Sequence, residues 1–390
     1  HSIGISIGVR YGSMDDPKDL NGAAHYLEHM LFKGTKKRSW KQLNEEAEKY
    51  GFYKNAFTDH ESTVYFIQSY SGYAERAFDM LSDMIANSTI EKNEFEMERG
   101  PIINENLIRA DNPKFMFYDY IPAVLYRHHP AGLSVGGDNE KTIPNITIDY
   151  VKGIYEKYYT PHNMFLGIHG GITAKQAEVL ADKYFGSIEG GNAAFSREAA
   201  KEPQVKRSLR ISKPGIKQTR IGIGFKCSEF DGKKIGEFAC MNVISNYLNK
   251  ALFDSVREKE GLSYDPYAMY SAYSTFGFIA SSAGIEHKNL EKAKKIMVSE
   301  YSALADGNID KERFENSKRS ISIKMSMGLD DPLSMSVAMA EDAVLFGTPE
   351  LSYEFSQKVH AVPIEDALKY SERYILPDKY GEVILRPSEK

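Results

Sequence analysis

The feature that most constrains the fold of this 390-residue chain is that its two halves resemble each other. Residues 25–32 (His-Tyr-Leu-Glu-His-Met-Leu-Phe) align with residues 246–253 (Asn-Tyr-Leu-Asn-Lys-Ala-Leu-Phe), and residues 90–95 align with 309–314. A repeat period near half the chain predicts two similar domains rather than a solenoid of short repeats. We place the first domain at residues 1–188 and the second at 206–390, joined by a linker of small and polar residues at 189–205.

Hydrophobic patterning within each half predicts the same order of elements. A strand at 3–11 in the first half and at 220–225 in the second precedes a helix at 22–32 and 236–253. A further strand at 63–68 and 276–281 is followed by an amphipathic helix at 73–87 and 290–304. Such an order indicates an α+β class, with two homologous domains that each pack helices on one face of a mainly antiparallel sheet.

Composition excludes several classes of function. The formal net charge is −5, which gives no basic surface for nucleic acid and no polybasic signal for a membrane. No apolar run is long enough to span a bilayer. Cys227 and Cys240 are too few for a disulfide framework or a cysteine zinc site, which favours reduced thiols and a cytoplasmic protein. The abrupt start at His1, directly before a strand-like segment, leaves room for an N-terminal targeting segment.

A helix-like segment in the first half carries a metal-binding pattern. His25 and His29 are four residues apart, so one helix face can hold a metal ion between two imidazoles, with Glu28 beside them. The neighbouring Leu27, Met30 and Leu31 are apolar, so the pattern lies on a partly buried helix, where these polar groups need partners. Spacing alone leaves the third ligand open among Glu94, Glu96, Glu98 and Glu105.

The second half has lost this pattern. His25, Glu28 and His29 align with Asn246, Asn249 and Lys250, and Glu98 and Glu105 align with Ser317 and Lys324, while the scaffold residues Tyr, Leu and Phe are kept. Residues that repeat serve the shared scaffold, whereas those confined to one half serve chemistry. We therefore expect the second half not to bind zinc.

Several motifs together resemble the insulinase/pitrilysin-type zinc metallopeptidases, the inverzincins, and more narrowly their short-chain branch of mitochondrial and bacterial processing peptidases. The matching segments span nearly the whole chain, at residues 22–35, 55–58, 61–66, 98–105, 159–164 and 252–264. The resemblance implies one Zn²⁺ per chain, with Glu105 as the third ligand beside His25 and His29 and with Glu98 as a supporting carboxylate. Pro101 and Asn104 depart from the family pattern, and Pro101 is expected to disturb the helix only locally.

The resemblance also implies a function. The expected enzyme is a zinc metalloendopeptidase in which a zinc-activated water attacks the peptide bond and Glu28 is the general base. Residues 55–57 and the strand-like segment at 63–66 offer a sheet edge on which a peptide substrate could add a strand, so Asn55, Ala56 and Phe57 are expected to bind the substrate. The family assigns contacts with the substrate backbone to the positions of Asn55 and Ala56. Arg257 and Tyr264 are expected to stabilise the tetrahedral intermediate. In this family the site lies between a zinc domain and a facing domain without zinc, often from another subunit. Because this chain carries both sets of residues, the resemblance implies a homodimer with two composite sites.

Three alternatives remain open from the sequence. The first is a non-catalytic assembly or scaffold subunit of the same fold. The second is a structural zinc protein, whose metal would have four protein ligands and no open position. The third is a catalytic subunit obligately paired with a separate partner that binds no zinc.

Overall fold

The computed structural model describes residues 1–191 and 196–388, so residues 192–195 of the predicted linker lie outside the described residues. These described residues form nine strands: β1 (Ser2–Val9), β2 (Tyr53–Thr58), β3 (Thr63–Tyr70), β4 (Met164–Gly170), β5 (Arg207–Lys213), β6 (Thr219–Cys227), β7 (Tyr267–Ala272), β8 (Gly277–Ile285) and β9 (Gly381–Pro387). The α-helices of the described residues are α1 (Ala23–Met30), α2 (Trp40–Tyr50), α3 (Ala74–Asn87), α4 (Lys92–Asp111), α5 (Pro113–Leu125), α6 (Ile148–Tyr158), α7 (Ala174–Phe185), α8 (Ile235–Leu252), α9 (Leu290–Ala305), α10 (Lys311–Leu329), α11 (Pro332–Phe346), α12 (Leu351–His360) and α13 (Ile364–Tyr374). A π-helical turn, Phe253–Lys259, extends α8.

The chain forms two compact units. Unit 1 consists of His1–Asn106, Ser134–Ser196 and Ser326–Tyr353, and unit 2 consists of Leu107–Leu133, Arg197–Met325 and Glu354–Lys390. Each half of the sequence therefore contributes a helical segment to the unit built mainly from the other half. The boundary predicted at 189–205 stays a prediction.

Unit 1 is built on a four-stranded antiparallel sheet in the order β2-β3-β1-β4. Alternate residues of β1 point to one face, so Ile3, Ile5 and Ile7 enter a core that also contains apolar residues of α1, α3 and α6. Because β2 pairs with β3 along one side, its other side forms an edge of the sheet. This edge, next to α1, is the element that matters for the site.

The opposite face of the same sheet is covered by α11, which comes from the second half of the sequence. Glycines make the close approach possible: a Cβ on Gly8 would lie 2.7 Å from the Ala340 carbonyl oxygen, and one on Gly167 would lie 2.2 Å from the Ser336 carbonyl oxygen. The Ser6 and Ser336 hydroxyls hydrogen-bond at 2.8 Å across this contact. The sheet is therefore buried on both faces, which the sequence did not lead us to expect.

Unit 2 repeats the plan on a five-stranded sheet in the order β5-β9-β6-β8-β7, in which only the β5–β9 pair is parallel. Its core combines Ile221, Ile223 and Phe225 of β6 with apolar residues of α8, α9 and α13. The helix α5, from the first half of the sequence, packs against Gly224 on the other face of β6.

The predicted α+β class with two mainly antiparallel sheets is confirmed. In the part of the chain that the structure describes, every helix is too short or too polar to cross a lipid bilayer.

Candidate metal centre

The helix α1 carries the His-x-x-Glu-His pattern, and hydrogen bonds hold its first residues in place. Gly22 precedes it with φ +100°, a left-handed conformation that glycine adopts without strain. The buried Asp16 carboxylate accepts hydrogen bonds from the backbone N–H groups of Gly22 and Ala24, at 3.0 and 3.1 Å, and from the Tyr11 hydroxyl at 3.0 Å. These bonds satisfy donors at the helix start that have no partner within the helix. The cap and the buried apolar side fix the direction in which His25 and His29 project.

Three side chains converge on one point beside α1. The potential ligand atoms of His25, His29 and Glu105 all lie within 4.8 Å of one another. The Glu105 carboxylate lies 3.6 Å from His25 Nε2 and 3.3 Å from His29 Nε2. It is supplied by α4, which continues as a helix through Pro101. Two imidazole nitrogens and one carboxylate oxygen are a donor set that suits zinc with an open coordination position.

Glu98, which lies on α4 like Glu105, contacts the metal-ligand group formed by His25, His29 and Glu105. Its carboxylate lies 2.9 Å from His29 Nδ1 and pairs with the Lys33 ammonium group. Burial acts to raise the pKa of Glu98, but the contacts with His29 and Lys33 outweigh it and lower the pKa below its ordinary value. A carboxylate held ionised against Nδ1 keeps His29 Nε2 directed at Glu105.

The electrostatics of the metal-free site favour a proton on His29. Burial acts to lower its pKa, but hydrogen bonds to Glu105 and Glu98 outweigh burial and raise the pKa to about 9. Contacts with His25 and His29 hold the pKa of Glu105 well below its usual range. A cation is thus already favoured at this position, and a metal ion would replace the proton.

Glu28 is buried beside the metal-ligand group, and its carboxylate contacts Thr58 of β2. The Thr58 hydroxyl donates a hydrogen bond to Glu28 Oε2 at 2.6 Å. Thr58 is the last residue of β2, so the edge strand and the carboxylate are linked directly. This contact fixes the position of a group suited to general acid–base chemistry.

These residues open into a cavity of about 470 Å³ that is lined by the three candidate ligands, Glu28 and Glu98 together with Phe32, Lys33, Lys54, Asn55 and Ala56. Of the predicted substrate-binding residues, Asn55 and Ala56 therefore reach the cavity. Phe57 does not line it; its ring lies 6.4 Å from that of Phe66. Strand alternation turns the Phe57 side chain to the face of the sheet opposite that of Ala56.

Arg257 and Tyr264, predicted from the resemblance, belong to unit 2, whereas the metal-ligand group belongs to unit 1. Arg257 and Tyr264 contact each other. The guanidinium carbon of Arg257 lies 4.3 Å from the centre of the Tyr264 ring, and Arg257 Nη1 donates a hydrogen bond to the Tyr264 carbonyl oxygen at 3.2 Å. Tyr264 is 81% exposed, so its ring is open to solvent.

In unit 2, the residues that align with Glu28 and His29 make structural contacts. The Asn249 amide makes two hydrogen bonds of 2.6 Å to the backbone of Ala268, and the Lys250 ammonium pairs with Asp254. Within residues 1–191 and 196–388, no second set of three His, Cys, Asp or Glu side chains is close enough to hold a metal ion.

Comparison with known proteins decides the family. Residues 1–139 match the model of the insulinase family of peptidases, M16, and residues 145–321 match the model of the peptidase M16 inactive domain. The chain belongs to the M16 insulinase family. The metal-ligand group falls within the first match, and Asn249 and Lys250 fall within the second.

Relatives of this M16 protein are similar over nearly its full length. The zinc protease YmxG of Bacillus subtilis, whose name marks it as uncharacterized, is 26% identical over 388 residues, which are 99% of this chain and 93% of that protein. The mitochondrial-processing peptidase subunit beta of Neurospora crassa is 25% identical in an alignment of 385 positions that covers 95% of this chain and 80% of that subunit. The crystal structure of a protease from Helicobacter pylori shares the fold, with a TM-score of 0.89, 21% identity and coverage of 99% of this chain and 94% of that one.

Sequence reasoning assigned no role to four residues that the structure places in or near the site: Asp16, Lys33, Lys54 and Thr58. Thr58 ends the motif that also contains Asn55 and Ala56, and strand alternation puts it on the same face as Ala56. That alternation was a signal available in the sequence. No sequence pattern connected Asp16 with the start of α1.

Proposed function

We propose that this M16 protein is a zinc-dependent endopeptidase that hydrolyses peptides or unfolded segments bound as an added β-strand. The observation that carries the proposal is the convergence of His25, His29 and Glu105 beside a buried carboxylate, Glu28, in one cavity next to a sheet edge. A purely structural site would not require an open cavity or a neighbouring acid–base group.

His25, His29 and Glu105 would hold one zinc ion per chain. When bound, zinc supplies Lewis acidity that favours deprotonation of water and polarises a carbonyl group. Glu98 orients His29 through the contact at Nδ1.

Glu28 would carry the proton of the reaction. Its carboxylate accepts a proton from the attacking water and then delivers it to the nitrogen of the leaving amine, so that the carbon–nitrogen bond breaks as a neutral amine forms. The Thr58 hydroxyl holds Oε2 of Glu28, which leaves the other carboxylate oxygen for this exchange.

The edge strand β2 would bind the substrate backbone. The Ala56 N–H group donates to the Asn55 side-chain oxygen at 2.9 Å, so it is satisfied locally without a second strand. A substrate strand would exchange this local bond for backbone hydrogen bonds, while alternate substrate side chains face the cavity.

Part of the same proposal is that the chain acts as a homodimer in which Arg257 and Tyr264 of a neighbouring copy complete the site. Their mutual contact and the exposure of Tyr264 support a role at a surface that meets another molecule. Guanidinium and phenol groups can both donate hydrogen bonds to a developing oxyanion.

Hydrolysis of a quenched peptide library by the wild type and by Glu28→Gln, with metal analysis of both, tests the proposal. We expect both proteins to contain zinc and the variant to lose about 10²–10⁴-fold in kcat. Equal hydrolysis by the two proteins would refute the role of Glu28. A zinc-loaded wild type that cleaves no peptide would instead favour a non-catalytic subunit.

A further inference from the structure

The cavity beside the metal-ligand group contains a positive charge that the proposed mechanism does not use. Lys54 lies on β2, two residues before Ala56, and both residues line the cavity. In the antiparallel register, Lys54 lies opposite Ile67 and Ala56 opposite Tyr65, both of which point into the core that contains α1. The Lys54 side chain is thus on the face of the sheet that carries the site.

The two lysines of this cavity differ in their partners. The Lys33 ammonium group is paired with the Glu98 carboxylate. Lys54 Nζ instead donates to the amide oxygen of Asn44 at 2.9 Å and lies 5.1 Å from the centre of the Phe32 ring. Among the described side chains, no carboxylate forms an ion pair with Lys54. Its ammonium group is therefore held between a neutral amide and an aromatic face.

Because the Lys54 ammonium group is partly buried, an added carboxylate would interact with it strongly. Loss of water around the ammonium group lowers the pKa of Lys54 below its ordinary value, and burial is the cause of this shift. A carboxylate brought into the cavity would compensate for the lost water through a charge-assisted hydrogen bond. That interaction is stronger in a partly dry cavity than on the surface.

We propose that Lys54 makes the peptidase selective for an acidic substrate side chain close to the scissile bond. The inference rests on the peptidase function proposed above and specifies its substrate class. Side chains of a strand added to β2 alternate between faces, so only one substrate position lies directly opposite Lys54. A lysine or arginine at that position would be repelled, and a glutamine would keep its hydrogen bonds without the charge.

Matched quenched peptides test this selectivity with the zinc-loaded wild type. The peptides differ only in having Glu, Gln or Lys at one of the positions within two residues of the cleaved bond. We expect kcat/KM to fall in the order Glu, Gln, Lys at a single position, with Glu favoured over Gln by about tenfold. The ratio should shrink with added salt, because screening weakens a charge contact that solvent can reach. Equal values for Glu and Gln at every position would overturn the proposal.

Two substitutions separate the charge of Lys54 from its packing against Phe32. Lys54→Met keeps an unbranched apolar chain, and we expect it to reduce the Glu-to-Gln ratio to about one. Lys54→Glu should reverse the preference towards the Lys peptide. The matched control is Lys49→Met, since Lys49 is exposed, lies over the Tyr50 ring at 5.3 Å and is outside the cavity lining. A ratio in Lys54→Met equal to that of the wild type would overturn the proposal.

A binding measurement keeps this inference distinct from the peptidase function. In the Glu28→Gln background, fluorescence anisotropy should show tighter binding of the Glu peptide than of the Gln peptide, and adding Lys54→Met should remove the difference. Hydrolysis without any Glu preference defeats only the role of Lys54. Selective binding by a wild type that hydrolyses nothing defeats only the peptidase function.

Discussion

The two histidines of the metal-ligand group differ in how their second ring nitrogens are held. His29 Nδ1 contacts the Glu98 carboxylate at 2.9 Å, whereas His25 Nδ1 is buried and has no hydrogen-bond partner among the described residues. Because the pKa of metal-free His29 is raised to about 9, zinc binding at neutral pH must displace a proton from that ring. His29 is thus the better oriented ligand, and its protonation competes with the metal.

At this scale, the sequence predicted the two histidines and Glu28 from helical spacing alone. Glu105 followed only from the resemblance, because spacing could not choose among four glutamates. The contacts of Thr58, Lys33 and Lys54 depend on how β2, α2 and α4 pack around α1, and periodicity does not specify such tertiary contacts.

Replacing Thr58 tests whether it positions Glu28. Thr58→Val keeps the shape of the side chain but removes the hydroxyl that donates to Glu28 Oε2. We expect kcat/KM for peptide hydrolysis to fall about tenfold while the zinc content is unchanged, because the carboxylate gains freedom to turn away. Thr58→Ser should recover most of the activity. Loss of zinc from Thr58→Val, or activity equal to that of the wild type, would contradict a positioning role.

Among the elements, strands and helices were largely predicted, but the exchange of helices between the halves was not. The start of α11 can be predicted from the local sequence. Pro332 is its first residue, and the preceding Asp331 side chain accepts a hydrogen bond from the Ser334 N–H group. The local sequence does not indicate which sheet α11 covers. The small residues Gly4, Ser6 and Gly8 on alternate positions of β1 were the available clue, since they leave space on one face.

The packing of α11 against unit 1 has a consequence for stability that depends on pH. Glu341 of α11 accepts a hydrogen bond from the Ser62 hydroxyl at 3.3 Å. Burial, followed by the nearby charges of Asp59 and Asp342, raises the pKa of Glu341 to about 8. Because the native pKa lies above the unfolded value, the native state binds more protons between these values, and stability falls as pH rises towards 8.

Glu341→Gln should remove this dependence, since an amide is neutral throughout. We expect the free energy of unfolding of the variant to resemble that of the wild type near pH 4 and to exceed it above pH 8 by on the order of 3 kcal/mol. Urea denaturation across this pH range measures the difference. Parallel profiles for the two proteins would contradict a raised pKa of Glu341.

At the scale of the whole molecule, the two halves share a scaffold but differ in chemistry. Unit 1 brings together the candidate metal ligands, while Asn249 and Lys250 of unit 2 form hydrogen bonds and ion pairs of a structural kind. The sequence indicated this division, because only scaffold residues repeat. The match of residues 145–321 to a domain described as inactive agrees with it.

Mixing two variants tests whether neighbouring copies share a site. Glu28→Gln and Arg257→Ala should each hydrolyse peptides poorly alone. If the site is composite, random dimers of an equal mixture contain one intact site in four, so activity should recover to about a quarter of the wild-type value. Subunits must exchange before the assay, which mass spectrometry can verify. Exchanged dimers without any recovery would contradict a site shared between copies.

The most direct test of the central claim is a zinc titration of the metal-free protein followed by peptide hydrolysis. The proposed function predicts no hydrolysis without metal, a linear rise as zinc is added, and a break at one zinc per chain, because only the first half supplies His25, His29 and Glu105. Hydrolysis that is unchanged by removal of the metal, or a rise that continues to two zinc ions per chain, would contradict it.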